Sequence, residues 1–302
     1  MKSIVTGGGG FIGSELVTEL TSRKHDVEVI NRVNQHGLFE GCDLTSRNMI
    51  PQLVKGIREF NPDVIFHLAS DTSIKRSWDN PYEFINRNIS ITENLIEAIA
   101  MSGLNPLLIL MSTSAVYDDK DSPIEETFRL APSSPYAISK LALESVALRY
   151  RNAVIVRPFF TIGAKRKGDI IQDWLEQLKR IKNIGVPAYL NVGDLSLERD
   201  YLEVSESAKS LIQISEKATP GETYNLCSGT STRLNDICRA LISEMGCDDL
   251  VQLKINPDLN QKARQKVIGD NSKLHQCGVR PIFNLKNSLK LILANQESEK
   301  MN

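Results

Sequence analysis

A tyrosine and a lysine near the middle of the chain have the spacing of an acid–base pair. Tyr136 and Lys140 are four residues apart near the start of a predicted helix, so their side chains share one helix face. A tyrosine with its ordinary pKa of about 10 transfers protons poorly at neutral pH, but a neighbouring ammonium lowers that pKa. We therefore predict general acid–base chemistry at Tyr136, with an ordinary helix-surface pair as the alternative.

Three consecutive hydroxyl residues, Ser112 to Ser114, follow a predicted apolar strand over Leu107–Met111. In an open α/β sheet, ligands bind in the crevice outside the carboxyl ends of the strands. These hydroxyls are therefore candidates for substrate binding, although such residues also cluster in turns and helix caps.

A glycine-rich segment lies between a predicted strand and a predicted helix at the start of the chain. Residues 6–13 read T-G-G-G-G-F-I-G, between a strand over Lys2–Thr6 and a helix over Phe11–Arg23. Glycines at this spacing permit a tight turn and the close approach of a diphosphate, and the helix start presents free amides. The alternative is an ordinary glycine-rich turn, but the context favours a dinucleotide site. Its predicted residues are Gly7, Gly10, Phe11, Ile12 and Gly13.

The end of the second predicted strand, Val27–Ile30, bears on which dinucleotide binds. An NAD site usually has an acidic residue there, whereas this strand is followed by Asn31 and Arg32. Arg32 is suited to pair with a 2′-phosphate, so we predict NADP(H) in preference to NAD(H). The alternative is that Asn31 binds the NAD ribose and Arg32 is solvated. Asp43, followed by Leu44, lies where an adenine contact is expected.

Strands and helices alternate through the first half of the chain. This alternation predicts an α/β fold: a Rossmann doubly wound parallel sheet with a smaller C-terminal substrate-binding α/β region. We assign 1–162, joined by 200–228, to the dinucleotide-binding domain and 163–199 with 229–302 to the substrate-binding region. The basic segment 163–169 is predicted to be a loop over the ligand, and the polar last dozen residues are expected to fray. The other predicted elements are helices over Met49–Phe60, Tyr82–Met101, Tyr136–Tyr150, Ile170–Ile181, Glu203–Ser215 and Leu234–Met245, and strands over Val64–Leu68, Val154–Val156 and Thr223–Leu226.

The composition argues against several classes of protein. The formal net charge is −1, so no basic surplus suggests nucleic acid. No apolar run approaches the roughly 20 residues of a membrane span, and the first residues enter a strand rather than a signal peptide. The five cysteines show no CxxC spacing and no cluster with the four histidines, so we expect neither disulfides nor a metal. We expect a cytoplasmic protein.

Taken together, the motifs resemble the extended short-chain dehydrogenase/reductases, the NAD-dependent epimerase/dehydratase family, that act on nucleotide sugars. The matching segments span nearly the whole chain: T-G-G-G-G-F-I-G (6–13), H-L-A-S (67–70), S-T-S-A-V-Y (112–117), S-P-Y-A-I-S-K (134–140), V-R-P-F (156–159) and R-D-Y-L-E-V (199–204).

The resemblance implies roles for individual residues. By position, Thr113 resembles the substrate-binding hydroxyl, Tyr136 the acid–base residue and Lys140 the cofactor anchor. Asn88 resembles an asparagine that supports the lysine through water, and Arg199 an arginine that grips the nucleotide pyrophosphate. We further expect cofactor contacts from Leu68, Ala69, Ser70 and Pro158, and substrate contacts from Ser73, Ser114, Phe160, Lys165 and Arg264.

The second half of the chain is most similar to the GDP-4-keto-6-deoxy-mannose reductases. It contains V-G-D-L-S-L-E-R-D-Y, Y-N-L-C-S-G and I-G-D-N-S-K-L. The implied reaction is hydride transfer from NADPH to a sugar ketone while Tyr136 protonates the alkoxide. Three departures leave the sugar open: Phe160 replaces an asparagine, Gly163-Ala164-Lys165 replaces G-P-G, and Arg264 lies in a Gln- and Lys-rich stretch that replaces an Arg-Pro element.

Other functions use related residues. A nucleotide-sugar 4-epimerase has the same Thr-Tyr-Lys set but retains its cofactor, usually NAD. A 4,6-dehydratase has Asp-Glu after the catalytic hydroxyl, where this chain has Ser114-Ala115. A cofactor-sensing regulator without turnover typically lacks the tyrosine. The resemblance also implies a homodimer through helices over Asn88–Met101 and Tyr136–Tyr150, although burial within one chain explains the same apolar pattern.

Overall fold

The computed structural model describes residues 1–32, 37–120, 123–164, 166, 168–259 and 264–298. Its strands are β1 (Lys2–Thr6), β2 (Asp26–Ile30), β3 (Val64–His67), β4 (Leu107–Met111), β5 (Ala153–Pro158), β6 (Phe160–Ile162), β7 (Ala188–Val192), β8 (Glu198–Glu203), β9 (Thr223–Leu226), β10 (Ser231–Arg233), β11 (Val251–Ile255) and β12 (Lys266–Val267). Its α-helices are α1 (Phe11–Ser22), α2 (Ile50–Phe60), α3 (Ile74–Asp79), α4 (Pro81–Ser102), α5 (Pro135–Ala147), α6 (Ile170–Ile184), α7 (Val204–Lys217), α8 (Leu234–Glu244), α9 (Ser272–Gln276) and α10 (Leu285–Ser298).

Six parallel strands form the main sheet in the order β2-β1-β3-β4-β5-β9. The central strands are continuous apolar runs because helices cover both faces of the sheet. On one face, Leu53 of α2, Leu95 of α4 and Leu143 of α5 pack into one apolar cluster. On the other face, Leu16 of α1 and Leu211 of α7 pack into a second cluster. The predicted doubly wound α/β fold is confirmed.

The C-terminal region contains two smaller sheets. Strand β8 pairs with β6, β10 and β12, while β7 pairs with β11. Their helices share a separate apolar core around the fully buried Trp174 of α6. The division of the chain into two domains remains a prediction. Because β6 and β8 pair directly, residues on both sides of the boundary drawn after 162 share one sheet.

Several helix ends differ from the prediction by one to three residues, and the prediction contained no helix over 285–298. Helix α5 ends at Ala147 rather than at Tyr150, and Tyr150 instead donates a hydrogen bond to the Pro106 carbonyl at 2.6 Å. Helix α10 extends to Ser298 although the last dozen residues are polar, because Leu289 and Ile292 on one of its faces are buried in the C-terminal core. In the part of the chain that the structure describes, no helix is long and apolar enough to cross a membrane.

Candidate active site

The glycine loop forms a tight turn between β1 and α1. Gly7 has a left-handed φ of 70°, and its amide donates to the Ile30 carbonyl at 3.0 Å. A Cβ atom on Gly7 would lie 2.8 Å from the Ala69 backbone nitrogen, and one on Gly13 would overlap the Gly7 carbonyl oxygen. Gly10 closes the turn by donating its amide to Gly7 at 2.9 Å. Side chains at these positions would therefore displace the backbone of the loop.

The start of α1 suits a diphosphate. Gly10 is the N-cap residue and makes no side-chain hydrogen bond to the first amides of α1. The first turn of this helix includes Phe11 and Ile12. Such amides and the positive end of the helix dipole bind phosphate oxygens. The cradle therefore fits the diphosphate of a nicotinamide dinucleotide.

The residues after β2 lie beside this loop. The side-chain oxygen of Asn31 accepts a hydrogen bond from the Gly9 amide at 3.2 Å, so Asn31 braces the glycine loop. Arg32 is exposed, and its charge and that of Arg87 on α4 both act on the Asp43 carboxylate. Arg87 was not anticipated from the sequence, because it lies more than fifty residues away from Arg32 in the chain.

In the segment predicted to contact adenine, Asp43 is partly exposed and Leu44 is buried. The Asp43 carboxylate accepts hydrogen bonds from the Thr45 amide and hydroxyl at 2.9 and 2.8 Å. Burial acts to raise the pKa of Asp43, but these bonds and nearby arginines outweigh it and the pKa is lowered. The Leu44 side chain packs in the core, and its carbonyl accepts from Asn94 at 2.8 Å. Leu44 thus contributes to packing through its side chain.

Lys140 is held between the ends of two strands. Its ammonium donates to the Ser70 hydroxyl at 2.7 Å and to the Met111 carbonyl at 2.9 Å. Ser70 follows Leu68 and Ala69 in the segment after β3, and the Ala69 backbone also lines the glycine loop. Burial lowers the pKa of Lys140 to about 8, against the opposing charge of Glu144.

Asn88 supports this lysine through its neighbours in the chain. The Asn88 side chain accepts from the Asp71 amide at 2.7 Å and donates to the Asp71 carbonyl at 3.0 Å. It also donates to the Ser139 hydroxyl at 3.0 Å. Asp71 follows Ser70 and Ser139 precedes Lys140, so this buried amide fixes both partners of the lysine contact.

Tyr136 and Thr113 meet at the carboxyl end of β4. Ser134 caps α5 by accepting from the Ala137 amide at 3.2 Å, which sets Tyr136 in the first turn. The Thr113 hydroxyl lies close enough to the Tyr136 phenol to act on its pKa. Burial raises the pKa of Tyr136, and both the Thr113 hydroxyl and the Arg166 charge oppose the rise. The expectation that a neighbouring ammonium lowers this pKa is therefore wrong, because burial outweighs the opposing contributions and the phenol keeps its proton near neutral pH.

The other predicted pocket residues near these strand ends have local structural roles. Ser114 is buried directly after Thr113 and begins a short 3-10 turn that ends at Val116. Ser73 caps α3 by accepting from the Arg76 amide at 3.3 Å. Pro158 ends β5, opposite Leu226 of β9.

Arg199, predicted to bind the substrate, lies in β8. Its guanidinium lies 5.3 Å from the centre of the Phe160 ring and donates to the Glu198 carbonyl at 2.7 Å. The ring centroids of Phe160 and Tyr201 are 5.8 Å apart. Phe160 thus packs between an arginine and a tyrosine, a position that an asparagine would not fill.

Arg264 approaches the same place from the segment before β12. It donates to the Tyr117 carbonyl at 2.6 Å and forms an ion pair with Asp119. Burial lowers the pKa of Arg199, and the charge of Arg264 lowers it further. Two partly buried guanidinium groups that repel one another form a site suited to an anion.

Arg166 is a third cation that sequence reasoning did not single out. It donates to the Thr161 carbonyl and pairs with Asp169 at 3.4 Å. Its charge acts on the phenols of Tyr136 and Tyr201. The sequence feature that could have pointed to Arg166 was the basic composition of the loop 163–169, which was predicted to cover a ligand. Lys165, predicted in the same loop, lies outside the described residues.

The sequence model of the NAD dependent epimerase/dehydratase family matches residues 3–227. The chain belongs to this family. It is 27% identical to the GDP-6-deoxy-D-mannose reductase of Pseudomonas aeruginosa, over 98% of this chain and 97% of that one. The predicted resemblance to extended short-chain dehydrogenase/reductases is confirmed.

Two solved structures share the fold over nearly their whole length. The RMD structure from Pseudomonas aeruginosa complexed with NADPH has a TM-score of 0.85 and 25% identity, over 99% of this chain and 100% of that one. The UDP-glucose 4-epimerase of Thermus thermophilus in complex with NAD has a TM-score of 0.79 and 25% identity, over 98% and 99%. The chain is thus an NAD(P)-dependent enzyme that modifies nucleotide sugars.

Proposed function

We propose that this enzyme reduces the keto group of a nucleotide-activated 4-keto-6-deoxy sugar, with a GDP-sugar as the favoured substrate and NADPH as the reductant. The observation that carries the proposal is the placement of Tyr136 beside Thr113 and one helical turn before Lys140, which bonds to the segment that lines the glycine loop. Reduction needs a proton donor at this place, and a phenol with a raised pKa is protonated at neutral pH. The similarity to a GDP-6-deoxy-D-mannose reductase over almost the whole chain supports the same reaction.

Each residue of the site has a separate role in the proposed reduction. NADPH, when bound, supplies the hydride that reduces the sugar carbonyl. Thr113 holds the carbonyl oxygen against the Tyr136 phenol, and Tyr136 donates its proton to the alkoxide as that charge develops. Lys140 holds the nicotinamide ribose and, as an ammonium, stabilises the phenolate that Tyr136 becomes.

The choice of NADPH depends on Arg32. Among the described residues directly after β2, Asn31 is engaged with Gly9 and Arg32 is exposed, so an available cation rather than a carboxylate follows this strand. Arg87 adds a second cation near Asp43. A 2′-phosphate would satisfy these charges.

The nucleotide diphosphate is proposed to bind at the arginines. Arg199 and Arg264 provide planar guanidinium groups that donate two hydrogen bonds at once to phosphate oxygens. Arg166, whose charge reaches Tyr136, would lie at the sugar end of the diphosphate. Phe160 supports Arg199 from behind.

A 4-epimerase that retains NAD is the second candidate. The fold similarity to a UDP-glucose 4-epimerase with NAD favours it, as does the shared Thr113, Tyr136 and Lys140. A cofactor-sensing regulator is less well supported, because the catalytic residues are present and connected. The cytoplasmic location remains a prediction.

We also propose a homodimer formed through α4 and α5. Met101 on α4 and Ile138 on α5 are 54% and 44% exposed, which leaves apolar surface on the helices that the family resemblance assigns to pairing. Light scattering should give twice the chain mass, and Met101→Glu with Ile138→Glu should give monomers. Ile184→Glu, at an equally exposed position on α6, should leave the dimer intact.

Turnover tests the reaction directly. The purified enzyme, mixed with NADPH and GDP-4-keto-6-deoxy-D-mannose, should oxidise one NADPH for each sugar consumed. UDP-glucose with NAD serves as the comparison: interconversion with a second UDP-hexose and no net change in the cofactor would favour the epimerase instead.

A further inference from the structure

A buried carboxylate lies one helical turn after Lys140. Glu144 is 3% exposed, and its helix α5 also carries Tyr136 and Lys140. An ionised carboxylate is strongly disfavoured in such a position unless it is paired and hydrogen-bonded. The groups that pair with Glu144 therefore identify the parts of the protein that this carboxylate connects.

Two neighbouring strands supply those partners. The Arg157 guanidinium, in β5, donates from Nε and Nη2 to the two Glu144 oxygens at 2.9 and 2.6 Å. The Ser112 hydroxyl, directly after β4, donates to the same carboxylate. Ser112 precedes Thr113, and Arg157 precedes Pro158. One carboxylate thus joins the catalytic helix to the strand ends that carry the substrate hydroxyl and a predicted cofactor contact.

The same network extends toward the substrate arginines. Arg157 donates from Nη1 to the Tyr117 phenol at 2.9 Å. The Tyr117 carbonyl accepts from Arg264 at 2.6 Å. The chain of contacts from Glu144 therefore reaches a residue of the proposed diphosphate site.

Titratable and polar groups face Lys140 from several elements. On β3, His67 is fully buried and bonded at both ring nitrogens, and burial and the Lys140 charge lower its pKa to about 3, so it is neutral. On α5, the Tyr136 phenol is protonated one turn earlier. The segment after β3 and the end of β4 offer the Ser70 hydroxyl and a carbonyl. Glu144 supplies the negative charge that opposes the effect of burial on Lys140.

We propose that Glu144 is a positioning residue of this enzyme: it fixes the Ser112–Thr113 segment against α5 and acts as the buried counter-charge that keeps Lys140 an ammonium. Arg157 holds the Glu144 carboxylate in place. The functional consequence, an anchored ribose and an active Tyr136, rests on the proposed function. The charge state of Lys140 does not rest on the proposed function, so the claim about this charge and the proposed function can fail independently.

The test is an NMR titration of the ligand-free protein labelled with ¹³C-lysine. The Lys140 ¹³Cε signal is assigned by its loss in Lys140→Arg. In the wild type it should titrate near pH 8. In Glu144→Gln the midpoint should fall by about one unit or more, because burial then acts without an opposing charge. Glu97→Gln removes a carboxylate from an exposed pair with Arg47 and should leave the midpoint unchanged.

The Arg157→Lys variant distinguishes an effect of the Glu144 charge from a general loss of stability. This variant keeps the Glu144 carboxylate but loses the two-pronged contact, so the melting temperature should fall while the Lys140 midpoint stays near the wild-type value. If Glu144→Gln does not fold, Glu144→Gln combined with Arg157→Gln removes both charges, and the midpoint should still fall. An unchanged Lys140 midpoint in the Glu144 variants, or an equal fall in Arg157→Lys, would overturn the proposal.

Discussion

The Lys140 ammonium and the Ser70 hydroxyl are 2.7 Å apart, across the gap between α5 and the segment that follows β3. The contact joins the helix of the proposed catalytic tyrosine to the sheet beside the glycine loop. Asn88 fixes the residue next to each partner. The lysine is therefore held rigidly while its surroundings lower its pKa, so its charge can change within the physiological range.

The pH dependence of cofactor binding should follow Lys140. Its ammonium form donates to hydroxyl oxygens, and its pKa is lowered to about 8, so the charged form is present below this value and is lost as pH rises through it. NADPH affinity, measured by fluorescence titration from about pH 6 to 10, should be constant at low pH and weaken above 8. Lys140→Arg keeps its charge and should remove the pH dependence. A wild-type affinity that is flat throughout would contradict this role.

Replacing the Tyr136 hydroxyl should impair chemistry and spare binding. Tyr136→Phe should lower turnover by about 100-fold or more, the size of a general-acid contribution. NADPH binding should persist, because the glycine loop and Lys140 are unchanged. Tyr150→Phe is the matched control, since it removes a phenol that bonds to Pro106 away from the site. Near-wild-type turnover in Tyr136→Phe would remove the tyrosine from the mechanism.

Arg32 should determine the preference for NADPH. Arg32→Ala should weaken NADPH binding by about tenfold, the value of one charge-assisted contact, and leave NADH binding nearly unchanged. Arg23→Ala, an exposed arginine paired with Glu19 at the end of α1, is the control. Equal wild-type affinities for the two cofactors would weaken the reductase proposal and favour the epimerase.

The nucleoside diphosphate should be held by Arg199. Arg199→Ala should raise the dissociation constant for GDP by about tenfold, or about 1.4 kcal/mol, while NADPH affinity barely changes. Arg233→Ala, in the neighbouring strand β10 and paired with Glu198, should have little effect. Isothermal titration with both ligands measures each case. Unchanged GDP affinity in Arg199→Ala would mean that the diphosphate binds elsewhere.

The main sheet could be predicted because its strands follow simple patterns. β4, for instance, is an uninterrupted apolar run with the same bounds in the prediction and in the structure. β8 was missed because its sequence, E-R-D-Y-L-E, lacks an apolar pattern. Five of its six residues are nonetheless buried, because Asp200 and its neighbours find hydrogen-bond partners inside the protein. Tertiary pairing of this kind leaves no periodic signal in the sequence.

The proposed catalytic residues were easier to anticipate than the residues that hold them in place. Tyr136 and Lys140 have a recognisable spacing, as do the glycines of the first loop. The buried pair of Arg157 and Glu144 joins residues thirteen apart on a strand and a helix. Arg157 lies in the V-R-P-F segment, but neither residue type nor spacing links it to Glu144. Arg166 escaped attention for a related reason: one arginine in a basic loop is ordinarily a solvated charge.

The fate of the hydride tests the central proposal most directly. The enzyme is given GDP-4-keto-6-deoxy-D-mannose with NADPH that carries deuterium at the transferable position of the nicotinamide, and the product sugar is examined by NMR. We predict one deuterium at C4 of the product and an equal loss of NADPH. A product without deuterium, or an unchanged substrate while UDP-glucose is epimerised with no net use of cofactor, would contradict the account.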